Sequence, residues 1–146
     1  MLAIVAATAT PSTFDNAASY DASIERAVEI IRENTAPSDP IFVGLMSNRF
    51  TWVNPLMTYY LANRAPGVRD TMYNPGVTNR DQTQLEMIGE MERSGVRYLV
   101  LDRFFAAVCE PFNASCEPGS SRLDEYIAAR FRTAADFGDI VVLVRR

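Results

Sequence analysis

The chain has 146 residues, the size of one domain, and its content of 48% apolar and 22% charged residues is typical of a globular protein. A net charge of −4 without any basic run argues against a nucleic-acid partner. No apolar stretch of the sequence approaches the roughly 18 residues that predict a transmembrane helix.

The first 20 residues are interpreted as a linker or as the end of a membrane-proximal segment, because the apolar opening MLAIVAATAT leads into small and polar residues. Residues 21–146 are predicted to form a single α/β domain. Its first helix is predicted from Asp21, as the N-cap, to Glu33, since apolar residues recur there with helical spacing.

Two short apolar runs, Ile41–Met46 and Tyr98–Leu101, predict strands that are buried on both faces of a sheet. A helix is predicted within Trp52–Asn63, starting near Val53 or Asn54, because Pro55 is tolerated only in the first turn. The stretch Val68–Tyr73 is predicted to be a short edge strand, because a strong turn signal follows it.

A capping-box pattern, Asp81 with Gln84, predicts the start of a further helix. This helix is expected to end at Gly95, since glycine fits the left-handed position that follows many helices. Leu85, Ile88 and Met91 are expected to face the protein interior.

The C-terminal part is predicted to contain a helix capped by Ser121 and a hairpin of Arg132–Phe137 with Ile140–Val144. Helices that alternate with buried strands predict a mostly parallel sheet with helices on both faces. The predicted fold class is therefore α/β, a three-layer Rossmann-like sandwich with a mostly parallel sheet and a C-terminal antiparallel hairpin.

The residue types that are missing exclude several chemistries. The sequence contains no histidine, so neither nucleophile–histidine catalysis nor the common His/Cys zinc site can be formed. It contains no lysine, so there is no P-loop, and Gly44 stands alone in IFVGLM where a dinucleotide-binding strand would lead into GxGxxG. We therefore predict no metal site and no cofactor.

Cys109 and Cys116 enclose the six residues EPFNAS in the loop that follows the second predicted strand. This spacing is too long for a redox CxxC motif, which leaves a disulfide or two free thiols. We predict the disulfide, because both cysteines lie in a polar loop rich in Pro, Gly and Ser. A bridge would stabilise the domain by about 2.5 kcal/mol on the chain-entropy account and would place it outside the cytoplasm.

Polar residues follow both buried strands at their carboxyl ends, where open α/β sheets bind ligands. The candidate ligand-binding residues are Ser47, Asn48, Arg49, Asp102 and Arg103. In this interpretation Arg49 and Arg103 clamp an anionic ligand, and Asp102 with Asp70 is a candidate pair for acid–base work. The alternative is that Asp102 caps a loop and the arginines pair with surface acids.

Three runs of the sequence carry a resemblance to a known family: DASIERAVEIIRENTAPSDPIFVGLMSNRF, MTYYLANRAPGVR and QTQLEMIGEMERSGVRYLVLD. They resemble the C-terminal extracytoplasmic domain of large bacterial GT-C type membrane glycosyltransferases, enzymes that use polyprenyl-phosphate sugars and include protein mannosyltransferases and aminoarabinose transferases. The resemblance covers about Asp21 to Arg103. In that family the catalytic acids lie in loops between membrane helices, and no part of this sequence matches those loops.

The resemblance implies a non-catalytic accessory domain on the extracytoplasmic face of the cell membrane. Its implied partners are the membrane-embedded portion of the same parent chain and either a polyprenyl-phosphate sugar or a glycan acceptor. The residues alone leave a second hypothesis open: a free-standing small-molecule-binding protein, or an enzyme, that uses the strand-end crevice for an anionic ligand.

Overall fold

The computed structural model describes residues 13–50, 54–74, 76–103 and 118–146. Within these ranges no helix combines the length and the apolarity needed to cross a bilayer. The helices and strands, in chain order, are α1 (Thr13–Asn34), β1 (Ile41–Leu45), α2 (Met57–Ala62), α3 (Asp81–Ser94), β2 (Tyr98–Asp102), α4 (Arg122–Arg130), β3 (Phe131–Asp136) and β4 (Ile140–Arg145). The predicted disulfide between Cys109 and Cys116 lies outside the described residues.

The four strands form one sheet in the order β1-β2-β4-β3. Only β1 and β2 are parallel, whereas β4 pairs antiparallel with both β2 and β3. The prediction of a Rossmann-like sandwich with a mostly parallel sheet is therefore wrong. The reason is that the helical crossover pattern applies once, between β1 and β2, after which the hairpin supplies two of the four strands and inserts β4 beside β2.

Alternate residues of the central strands face two separate apolar clusters, as the period of two in a strand requires. In β2, Leu99 and Leu101 join the cluster that includes Met87 of α3 and Leu123 of α4, whereas Val100 faces the other way. On the opposite face, the cluster is formed by residues of the sheet with those of α1 and α2: Ile24, Ala27, Val28, Ile31, Ile41, Val43, Ala62, Val100, Ile140 and Val142. Both faces of the sheet are thus buried by helices.

Helix α1 begins at Thr13, well before the predicted start at Asp21. Asp21 consequently lies inside the helix and does not cap it. Two side chains near this point hold the helix on the sheet: Tyr20 donates to Asp102 at 2.5 Å, and Ser23 donates to the carbonyl of Phe137 at 3.1 Å. The small residues that suggested a linker are compatible with a helix once these tertiary contacts stabilise it.

The segment between β1 and α3 is less regular than predicted. Helix α2 begins at Met57, after Pro55, and Trp52 lies outside the described residues. Val68–Tyr73 is not a strand, and the nearest sheet-like pairing is a single bridge between Ile41 and Pro66.

Helix α3 ends where it was predicted to end, because Gly95 adopts a left-handed conformation with φ of 74°. Its predicted capping box does not form: Arg80 is the N-cap residue and no side chain caps the helix. Gln84 is instead fully buried, and Leu85, predicted to face inward, is 47% exposed.

Candidate functional site

Strands β1 and β2 end level with each other, since Leu45 pairs with Asp102 in the parallel register. The backbone N–H of Met46 donates to the carbonyl of Asp102 at 2.8 Å, which keeps the carboxyl ends of the two strands together. The sheet thus brings the segment at 47–49 beside the segment at 102–103, as the sequence predicted. Their side chains, however, turn to different partners.

Asn48 is the centre of a buried hydrogen-bond network and is only 1% exposed. Its side-chain amide donates to the carbonyl of Leu45 at 3.0 Å and to Asp124 at 2.8 Å. Its side-chain oxygen accepts from the hydroxyl of Tyr73, and its backbone carbonyl accepts from Gln84 at 2.8 Å. These protein groups occupy the hydrogen-bonding capacity of Asn48, so this side chain positions the loop after β1.

Gln84 and Asp124 complete the network from the two helices on that face. Besides contacting Asn48, Gln84 accepts from the backbone N–H of Leu123 at 2.9 Å, which ties α3 to the start of α4. Asp124 also accepts a longer bond from Ser47 at 3.4 Å. Burial raises the pKa of Asp124, while hydrogen bonds from Asn48 oppose that rise.

Asp102 is fully buried at the carboxyl end of β2. The phenol of Tyr20, on α1, donates to its carboxylate at 2.5 Å. Burial and, after it, this hydrogen bond raise the pKa of Tyr20, so the phenol stays protonated and remains a donor. Asp102 therefore links the sheet to α1. Asp70, the other candidate acid, pairs instead with Arg69 at 2.9 Å.

The two candidate arginines lie on the surface and contact different segments. Arg103 forms two parallel hydrogen bonds with the carboxylate of Asp136 in β3, at 3.0 and 2.9 Å. The side chain of Arg49 makes a long contact with the carbonyl of Gly119, at 3.5 Å from Nε, and its backbone carbonyl accepts from the N–H of Gly119 at 2.8 Å. Arg103 thus forms a surface ion pair of the kind that the alternative describes, and an anionic-ligand site at Arg49 and Arg103 stays a prediction.

An apolar groove lies between α1 and α2 beside this strand end. It has a volume of about 650 Å³, within the usual range of small-molecule and cofactor sites. Its lining is formed by Tyr20, Asp21, Ile24, Glu25, Asn54, Pro55, Leu56, Met57 and Leu61. Asn54 is fixed there because its side-chain amide donates to the carbonyls of Val43 and Thr71.

Most of this arrangement has no signal in the local sequence pattern. Asp124 is 76 residues from Asn48, and the helical start that places Tyr20 over Asp102 was interpreted as a linker. One local signal did exist: Asp21 and Glu25 are four residues apart, which puts both on one side of a helix.

No protein-family model matches the chain, and no curated protein matches it either. Among solved structures, the chain is similar to the C-terminal globular domain of the oligosaccharyltransferase of Archaeoglobus fulgidus. The TM-score is 0.47 and the identity 12%, over 85% of this chain and 97% of that one. A similarity of this degree assigns neither a family nor an activity to the chain.

Proposed function

We propose that this domain is a non-catalytic, extracytoplasmic accessory domain of a bacterial membrane glycosyltransferase of the GT-C type. Its role is to help the membrane-embedded portion of the parent chain bind an acceptor or a lipid-linked sugar. The sequence resemblance over Asp21 to Arg103 supports the parent family, and the geometry of the strand end supports the accessory role.

One observation carries the proposal. The polar groups at the strand end, where an α/β domain usually holds its ligand, bond to other parts of the same domain. Asn48 donates a hydrogen bond to Asp124, Asp102 accepts one from Tyr20, and Arg103 forms an ion pair with Asp136. The open space beside them is lined mainly by apolar side chains. A surface of this kind serves contact with a partner better than chemistry on a substrate.

The test of location uses the whole open reading frame that contains this sequence, expressed in its membrane. A single cysteine introduced at the exposed Ser38, in a background with Cys109→Ser and Cys116→Ser, is exposed to a membrane-impermeant maleimide in intact cells. Labelling of intact cells is expected. Labelling only after the cells are broken would contradict an extracytoplasmic domain.

The test of role compares glycosyl transfer by the full-length protein with and without residues 13–146. An accessory domain predicts a higher KM for acceptor or donor with a measurable kcat remaining. Complete loss of turnover by a deletion variant that still inserts correctly into the membrane would contradict the proposal. Thermal stabilisation by a sugar phosphate that disappears in Arg49→Ala would favour the small-molecule-binding hypothesis instead.

A further inference from the structure

Helix α1 carries a row of carboxylates along the side that faces the groove. Asp21, Glu25 and Glu29 are spaced four residues apart, so they follow one another on nearly the same side of the helix. All three are exposed, and within the ranges that the structure describes none of them forms an ion pair. Like charges at this spacing disfavour the helix, and Arg26 and Arg32, each three residues from Glu29, offset part of that cost.

The opposite wall of the groove is a helix with an unusual distribution of side chains. In α2 the buried residues are the small Thr58 and Ala62, whereas Met57 is 60% and Leu61 36% exposed. Met57 and Leu61 are four residues apart and therefore neighbours on one side. Met57 and Leu61 thus face the groove and the solvent, whereas Tyr59 packs against the core.

The groove is elongated along α1. A second cavity of about 220 Å³ continues it and shares Glu25 and Leu61 with the first. Together they extend from Tyr20 to Arg32, about 18 Å along the helix axis at 1.5 Å per residue. At the far end, Arg32 donates to the carbonyl of Leu61 at 2.5 Å, which closes the space between the two helices.

We propose that this groove is the docking surface for an amphipathic helix whose apolar stripe is flanked by arginine or lysine residues. The apolar stripe would lie on Ile24, Leu56 and Met57, and the flanking cations would meet Asp21, Glu25 and Glu29.

The charge of the rim favours this occupant over an anionic lipid, because three carboxylates line the groove and the lining cation Arg32 donates to the carbonyl of Leu61 at the far end. A phosphate group, whether on a lipid-linked sugar or on an anionic bilayer, would be repelled by the carboxylate row. The length of the groove fits about three turns of helix, which place apolar side chains along the floor at intervals of three and four residues. This inference rests on the groove alone and does not depend on the proposed glycosyltransferase parent.

The probe is a synthetic, end-capped helical peptide of about 14 residues, roughly four turns, with leucines on one stripe and arginines on both sides of it. Two comparison peptides replace the arginines by glutamates or scramble the order so that the stripe is lost. Binding to the full chain is followed by fluorescence anisotropy. We expect micromolar affinity for the arginine peptide and at least tenfold weaker binding of the other two.

Variants of exposed groove residues identify the surface without disturbing the fold. The double variant Glu25→Gln/Glu29→Gln is expected to weaken binding of the arginine peptide about tenfold, and Met57→Ala several-fold. The matched control is Glu125→Gln on α4, an exposed acid on the other face of the sheet, which should leave the affinity unchanged. Circular dichroism confirms that each variant folds.

Two outcomes would overturn the proposal. In the first, the arginine peptide does not bind, or binds equally well to the double variant and to wild type. In the second, farnesyl phosphate protects Met57 from oxidation while the arginine peptide does not, which would assign the groove to an anionic lipid.

Discussion

The backbone N–H and the side-chain amide of Asn48 both donate to one carboxylate oxygen of Asp124, each at 2.8 Å. This pair joins the loop after β1 to the first turn of α4. The burial that raises the pKa of Asp124 disfavours its ionised form, whereas the two donors favour it. Residue 124 is therefore required as a hydrogen-bond acceptor for Asn48 more than as a negative charge.

A comparison of Asp124→Asn with Asp124→Ala tests that requirement. The asparagine oxygen can accept both bonds from Asn48, so we expect the free energy of unfolding to change by no more than about 1 kcal/mol. Alanine leaves two buried donors without an acceptor and should cost about 2–3 kcal/mol. Urea unfolding of both variants measures the difference. Equal losses would show that the shared acceptor is not what holds the loop.

The acid dependence of stability should contain contributions of opposite sign from Asp124 and Asp136. The hydrogen bonds from Arg103 and from the N–H of Gly138 lower the pKa of Asp136. Its contribution is therefore fully present above the ordinary value of 3.8 and is lost as the pH falls through the lower folded value. For Asp124, whose folded pKa is raised, the contribution is present below 3.8 and is lost as the pH rises through the folded value.

Unfolding curves measured between pH 2 and 6 (the acid range in which carboxylates titrate) check both signs. As the pH falls, the free energy of unfolding of Asp136→Asn should approach that of wild type. That of Asp124→Asn should instead fall further below the wild-type value. Parallel curves for wild type and both variants would contradict the assignment of the two carboxylates.

Arg64 is expected to be the most sensitive arginine of the described chain. It is only 8% exposed and donates to carbonyls just past the end of α1, at Thr35, and at the end of α2, at Ala62 and Asn63. A cation at two helix C-termini is also favoured by both helix dipoles.

Arg64→Lys keeps the charge but cannot reach all of these acceptors at once, and we expect a loss of roughly 2 kcal/mol in the free energy of unfolding. Arg93→Lys, on the exposed side of α3, is the matched control and should stay within about 0.5 kcal/mol of wild type. If the two substitutions had the same effect, the role given to the Arg64 hydrogen bonds would be wrong.

Tyr20→Phe removes the hydroxyl that donates to the buried carboxylate of Asp102 and nothing else. Hydrogen bonds to charged groups contribute about 1.5–3 kcal/mol, so a loss in that range is expected in thermal or urea unfolding. Tyr60→Phe is the control, because Tyr60 is 78% exposed. A Tyr20→Phe variant as stable as wild type would mean that the hydrogen bond to Asp102 does not help to hold α1 on the sheet.

The elements that depend on local periodicity were predicted well, and their arrangement was not. The apolar runs at β1 and β2 and the glycine stop of α3 are properties of neighbouring residues. The position of β4 is not such a property: a hairpin pattern says that Ile140–Arg145 turns back on β3, but not that its other edge pairs with β2.

The candidate site shows the same division. The sequence placed Asn48 and Asp102 at adjacent strand ends because parallel neighbours end together. It could not show that Asn48 bonds to Asp124 or that Asp102 accepts from Tyr20. Each of these contacts joins residues more than 70 positions apart. Leu85 is exposed and Gln84 buried for a similar reason, because the amide of Gln84 serves two distant backbone groups.

The order β1-β2-β4-β3 also has a consequence for how the chain is made. Strand β4 is synthesised last but lies between β2 and β3. Until residues 140–145 have left the ribosome, β2 therefore keeps an open edge and β3 has no neighbouring strand. We therefore expect ribosome-bound chains that stop at Gly138 to be digested by protease throughout, and chains that continue to Arg146 through a tethering linker to be protected. Completion of this domain is a late, single event in its synthesis.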